Sequence, residues 1–224
     1  MFEELYNSAW NNPGAAWASV FIMLLVVLRR LPFFWAFLIG ALAMTSADAM
    51  ITGGYSRLGG ETSAIFPILS FLFVLFGDWR LYLLTERFSG SRGPAVWMRS
   101  GTIAIIPSLM VYVIGKVSPD FFAVSRVLYL TYEVTFIALA ALYFAFVLRP
   151  RLATLSGETA RWLKIVFGFF LVGYVGWALS DVLILSGFEW GHGLRILPNL
   201  MYYAGIIPVV YFTAPEEERS WPQA

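Results

Sequence analysis

Seven stretches of the chain, each close to the roughly 20 apolar residues a helix needs to cross a bilayer, follow one another with only short polar connections between them. They are Pro13–Leu28, Phe33–Gly53, Ser63–Leu84, Val96–Gly115, Phe121–Leu148, Trp162–Gly187 and Leu194–Ala214. Backbone polar groups in hydrocarbon must be paired within the structure, so a spanning segment is a helix or part of a closed barrel. The alternating pattern of a membrane barrel is absent. The expected fold is therefore an all-α integral membrane protein of seven helices, multi-pass, in a plasma or inner membrane. Composition agrees: 59% of residues are apolar and 13% charged, about half the charge of a soluble domain. Aromatic residues reach 18%, which suits rings at membrane interfaces. Met1–Pro13 carries Glu3 and Glu4 but no Lys or Arg. It lacks the basic start of a cleaved signal peptide, and the first helix is expected to remain.

Orientation follows from Lys and Arg. With the N-terminus outside, the inner connections carry Arg29, Arg30, Arg87, Arg92, Arg99, Arg149, Arg151, Arg161, Lys164 and Arg219, against Arg57, Lys116, Arg126 and Arg195 outside. This positive-inside excess predicts an external N-terminus and a cytoplasmic C-terminus. Arg149–Arg161 is read as the longest polar connection, and 215–224 as a short cytoplasmic tail.

Parts of the sequence repeat. Phe37-Leu38-Ile39-Gly40, Asp48, Ile51 and Gly54 match Phe170-Leu171-Val172-Gly173, Asp181, Ile184 and Gly187 at one offset. Pro67 matches Pro198, and Val27-Leu28-Arg29 matches Val147-Leu148-Arg149, at nearby offsets. Within this one transmembrane domain, residues 13–86 and 121–214 thus read as parallel copies joined by a connector helix at 94–116. Such 3+1+3 duplication is known in transporters. As architecture alone it resembles the SWEET sugar transporters, whose Pro-Gln signature is missing, and the microbial rhodopsins, whose retinal-bearing Lys is absent from Leu194–Ala214. Gly77-Asp78, Ser180-Asp181 and Tyr202-Tyr203 resemble dipeptides of the lysoplasmalogenase membrane family, over too few residues to assign one.

Charged side chains at membrane depth are costly and normally face an interior or a water-filled cavity. Asp48, Asp78, Glu133 and Asp181 are the acids in question. Counting 1.5 Å per residue places Asp48 and Asp181 one to two turns below the outer surface, Glu133 near mid-depth and Asn199 about a turn below the surface. Asp48, Glu133, Asp181 and Asn199 form the expected substrate- or ion-binding set, in a cavity opening outward, with Thr45, Ser46, Tyr132, Ser180 and Tyr203 extending it. No Lys or Arg is expected at the depth of the acids. Asp78 and Arg80, two apart and so on different faces, are assigned to a cytoplasmic interfacial ion network with Arg99, Arg80 reaching out to the surface. Pro67 and Pro198 are candidate hinges. His192 is placed in an outer loop.

Several chemistries are excluded. With no Cys and one His, disulfides, thiolate catalysis and multi-histidine metal sites cannot be built. No nucleotide-binding fingerprint is present, and no cofactor or metal is expected. A net charge of +1 gives no field for nucleic acid. The expected partners are membrane lipids, a small polar solute, proton or cation, and other chains in a homo- or hetero-oligomer. The leading reading is a small transporter, permease or channel-like protein. The alternatives are a membrane-embedded enzyme acting on a lipid or isoprenoid by carboxylate acid–base chemistry, and a non-catalytic subunit or receptor-like protein.

Overall fold

A computed structural model describes residues 22–52 and 66–220; the fold is argued from these. Among them there are no strands. The first described residues, 22–28, are helical and are called α1. They are followed by α2 (Phe33–Thr52), α3 (Phe66–Phe88) and α4 (Pro94–Val117). A 3-10 turn at Pro119–Phe122 leads into α5 (Ser125–Leu152), α6 (Gly157–Leu185), α7 (Trp190–Thr213) and the short α8 (Glu216–Arg219). Five of these, α2, α4, α5, α6 and α7, are long and apolar enough to cross a membrane. The 23-residue α3 is as long, but Asp78, Arg80, Glu86 and Arg87 crowd its second half. The chain is thus an all-helical protein with the makings of several membrane spans. Most of the first expected helix, Pro13–Leu28, lies outside the described residues.

Two sequence-based boundaries move. Arg149–Arg161 is not an extended polar connection: α5 runs to Leu152 and α6 begins at Gly157. The Ser156 side chain caps α6 by accepting from the Thr159 backbone N–H at 3.3 Å, and Glu158 sits in the first turn, where the helix dipole favours an acid. The charged residues there decorate helix ends. His192 likewise stands on the first turn of α7 and not in a loop, although it remains exposed.

Both π-turns among the described residues stand just before a proline. Phe144–Leu148 precedes Pro150, and Met201–Gly205 precedes Pro208. A proline ring clashes with the carbonyl four residues back and supplies no N–H to it. A wider turn moves that carbonyl aside at the cost of a local bulge.

The long helices pack in a ring in chain order, with α7 closing back onto α2 and α3 touching α6 across the middle. Packing is unequal along the ring axis. Phe34, Leu81, Leu84, Trp162 and Val210 are each essentially fully buried, and all lie toward the end carrying Phe33, Phe88, Pro94, Leu152 and Gly157, the predicted inner end. In lipid such contacts gain from dispersion and hydrogen bonding more than from exclusion of water. Trp162 supplies both: its ring meets Phe88 edge-on at 4.8 Å, and its indole N–H donates to the Val210 carbonyl at 3.1 Å. That carbonyl is within the last turn of α7, where the helix supplies no partner. Toward the other end lie a cavity and the polar residues of interest.

Candidate functional site

A cavity of about 200 Å³ opens in the loosely packed half. Helical spacing delivers its walls. On α5, Tyr129, Tyr132 and Glu133 share the stripe that continues into the core as Phe136, Ala140 and Tyr143, the i, i+3, i+4, i+7 spacing of one helix face. On α6 the stripe is Tyr174 and Trp177, with Asp181 one turn beyond. On α7 it is Arg195, Asn199, Tyr202 and Tyr203. Helix α2 contributes Asp48, and α3 contributes Phe73 and Val74.

Three of the four expected binding residues, Asp48, Glu133 and Asn199, line this cavity, and Asp181 stands directly behind Arg195. Asp48 is 6% exposed, with the Tyr203 hydroxyl hydrogen-bonded to it. The Asn199 side-chain oxygen accepts from the Trp177 indole at 2.7 Å. Of the residues expected to extend the set, Thr45 reaches Arg80, while the Ser180 hydroxyl turns back to the Gly176 carbonyl.

The expectation that these acids lack cationic neighbours is overturned. Arg195 contacts both Glu133, at 3.4 Å, and Asp181, and Arg126 reaches Asp181 at 3.3 Å. Backbone depth misled because an arginine stem spans more than a helical turn. Arg126 and Arg195 start near the helix ends but bend inward, past the ring of Tyr129, which each guanidinium flanks. The result is a cluster of two buried carboxylates and two partly exposed guanidiniums. It leaves Glu133 Oε2 and Asp181 Oδ2 buried with no hydrogen-bond partner.

The expected Asp78–Arg80–Arg99 network is also corrected. Asp78 is completely buried, and its two oxygens accept from the hydroxyls of Tyr132 and Tyr174, both of which line the cavity. Arg80 is 5% exposed and stays inside. It donates to the Gly77 carbonyl (3.0 Å), the Thr45 hydroxyl (3.4 Å) and the Tyr202 carbonyl (3.4 Å), and its guanidinium lies 4.7 Å from the centre of the Tyr202 ring. Only Arg99 is exposed. Five polar contacts inside the bundle, three of them from tyrosines that line the cavity, satisfy the α3 charges without the interface. The Tyr202 hydroxyl presses so closely on Gly77 that any Cβ there would overlap it.

The candidate hinges differ. Pro198 is buried, and its ring packs against Gly176 of α6, at 3.5 Å from where a Cβ would stand. Pro67 is the second described residue of α3.

One cluster went unread in the sequence. Glu86, 1% exposed at the closed end, accepts from Ser91 (2.6 Å), Tyr143 (3.0 Å) and Arg151 (3.0 Å). Arg151 also reaches Ser89, and Tyr143 meets Thr85. These contacts tie α3 to α5 beneath the cavity. Glu86 lies past the expected end of its helix at Leu84, so it was never weighed as an intramembrane acid. Tyr174 and Trp177 were missed because aromatic residues at helical spacing read first as core. Among the described residues, no three of His, Cys, Asp and Glu converge as metal ligands. Comparison of the chain with protein-family models, with curated proteins and with solved structures finds no match.

Proposed function

We propose that this chain is a small seven-helix permease that takes a polar or cationic solute into its intramembrane cavity from the outer side. The observation that carries the reading is the asymmetry of the bundle. A 200 Å³ cavity walled by Asp48, Glu133 and Arg195 occupies one half. The Glu86–Arg151–Tyr143 contacts and the Phe34–Trp162 core fill the other. That is the form expected of a carrier open to one side and closed to the other, with its binding groups near mid-membrane. In this reading α3 crosses the membrane with its charges turned into the bundle, the first helix completes the seven, and the C-terminus is cytoplasmic. The 3+1+3 duplication belongs to the same proposal: Asp48 and Asp181 then serve the site from equivalent helices, and Pro67 and Pro198 hold equivalent places in α3 and α7. The partners are membrane lipid and the solute.

The enzyme alternative has one observation in its favour. The Tyr132 and Tyr174 hydroxyls border the cavity with a buried carboxylate behind them, a pairing able to pass a proton.

Because the chain contains no Cys, a single introduced thiol is a unique probe. Asn199→Cys in the cavity wall should react with a membrane-impermeant thiol reagent in intact cells and, through the inward-open state, in inside-out vesicles. Labelling from the outer side alone under every condition overturns the permease reading in favour of an enzyme or receptor. No labelling from the outer side overturns the orientation.

A further inference from the structure

The cavity walls specify a ligand class more narrowly than a polar solute. We infer that the cavity is a binding site for a small organic ammonium ion, held by aromatic faces and the Glu133 carboxylate. This rests on the permease reading for transport but not for binding.

The charges argue first. Among the described residues, the arginines around the cavity, Arg80, Arg126 and Arg195, are all engaged. An anion would need an arginine to spare. Arg195, the only one in the wall among the described residues, is shared between Glu133 and Asp181, and Arg80 is held by two carbonyls and a hydroxyl. What is spare is an acceptor. Glu133 is 4% exposed, lines the cavity, and has one carboxylate oxygen without a hydrogen-bond partner. A buried acceptor of that kind normally has a partner, and an ammonium group supplies both a charge and, when not fully alkylated, a donor.

The chemistry of the remaining wall selects among cations. A metal ion or sodium needs a shell of oxygens. Here most of the surface is ring: Phe73, Tyr132, Tyr174, Trp177 and Tyr203. Aromatic faces attract weakly hydrated organic cations, best at Trp. The site already does this internally, with guanidiniums over Tyr202 and Tyr129. Size fits as well. A cavity of about 150 Å³ holds benzene, so 200 Å³ suits an ion slightly larger, such as a substituted tetraalkylammonium or a short primary amine.

Isothermal titration of the purified full-length chain in detergent tests the inference with choline, n-butylammonium and 3,3-dimethyl-1-butanol. The last is the neutral carbon analogue of choline and has nearly its shape. At least one of the cations should bind more tightly than about 1 mM, and the neutral alcohol at least about tenfold more weakly than choline if charge and aromatic faces both contribute. Glu133→Gln should weaken cation binding by a similar factor. Because that variant also disturbs Arg195, Trp177→Leu, which removes a ring and no charge, serves as the second. Absence of binding by either cation, equal binding of choline and its neutral analogue, or full affinity in both variants overturns the inference. Uptake of labelled cation into proteoliposomes is read separately. Binding without uptake overturns the permease reading and leaves the site standing; uptake of other solutes without cation binding does the opposite.

Discussion

Arg195 is the single side chain whose loss should do most damage to the outer half of the bundle. It is 20% exposed and, among the described residues, the only cation in contact with Glu133, at 3.4 Å, while Asp181 keeps Arg126 at 3.3 Å when Arg195 is removed. At an effective dielectric near 20, a unit pair at that separation attracts by about 5 kcal/mol before desolvation is counted. Desolvation of both ions cancels much of this in the intact pair, but not when one partner is deleted. The survivor is then a buried, unpaired charge, and such deletions cost about 3–5 kcal/mol. Because Arg195 retains some contact with solvent and Arg126 remains, Arg195→Met should cost about 3 kcal/mol, near the lower end of that range. For a chain of this length that corresponds to a fall in Tm of about 6–12 °C. Adding Glu133→Gln removes the stranded charge and should restore more than half of the loss, a coupling that a double-mutant cycle isolates. The assay is thermal unfolding in one fixed detergent, followed by intrinsic fluorescence and by aggregation on a sizing column. An Arg195→Met variant melting within about 2 °C of wild type, or a double variant no more stable than the single, would refute the reasoning that these carboxylates depend on Arg195.

Other outcomes follow from the same geometry. Gly77→Ala places a methyl against the Tyr202 ring and should destabilise by about 1–3 kcal/mol, whereas Tyr202→Phe, which removes a buried hydroxyl with no partner, should be neutral or mildly stabilising in the same melt. Glu86→Leu strands Ser91, Tyr143 and Arg151 together and should cost more than Tyr143→Phe, which removes one neutral donor worth about 1 kcal/mol. Partial burial pushes the Glu218 carboxyl above its ordinary range, opposed by Arg87. Its contribution is therefore complete below the unfolded-state pKa and is lost as pH rises through the folded-state value. Hydrogen exchange of the Trp35 indole N–H, which donates to the Ser220 carbonyl at 3.3 Å, should quicken across that window beyond its intrinsic rate, and Glu218→Gln should abolish the excess. Reporter fusions at Gly90, Gly157 and Ala224 should all read cytoplasmic; an external signal at Ala224 reverses the predicted topology.

The helical class was legible because hydrocarbon enforces it. Runs of about 20 apolar residues have few other fates in a membrane, and the structure returns long helices at 33–52, 66–88, 94–117, 125–152, 157–185 and 190–213. Ends were less legible. Helices α5 and α6 continue through polar residues at Arg149–Leu152 and Gly157–Arg161, where hydropathy falls but backbone hydrogen bonding does not. The acids could be picked out because an ionisable residue in such a run is conspicuous. Their partners could not, since partnership depends on where a long side chain ends and not on where its Cα sits. Arg126 and Arg195 show this at the outer end.

Asp78 and Arg80 show the same limit from the opposite direction. Their two-residue spacing correctly separates them onto different faces, and that spacing alone suggests independent partners. At an interface those partners would be water and headgroups, which is the reading hydropathy favours near the end of a span. What reverses it is three tyrosines on three other helices. Tyr132 and Tyr174 close on Asp78, and Tyr202 gives Arg80 a carbonyl and a ring face. A phenol within an apolar run carries little weight in hydropathy, yet each can satisfy a charge that would otherwise have to reach the surface. The polar interior of this bundle is therefore written mainly in its tyrosines. In a chain with eleven of them, those falling in register with an acid on a facing helix are the ones to read as parts of a site.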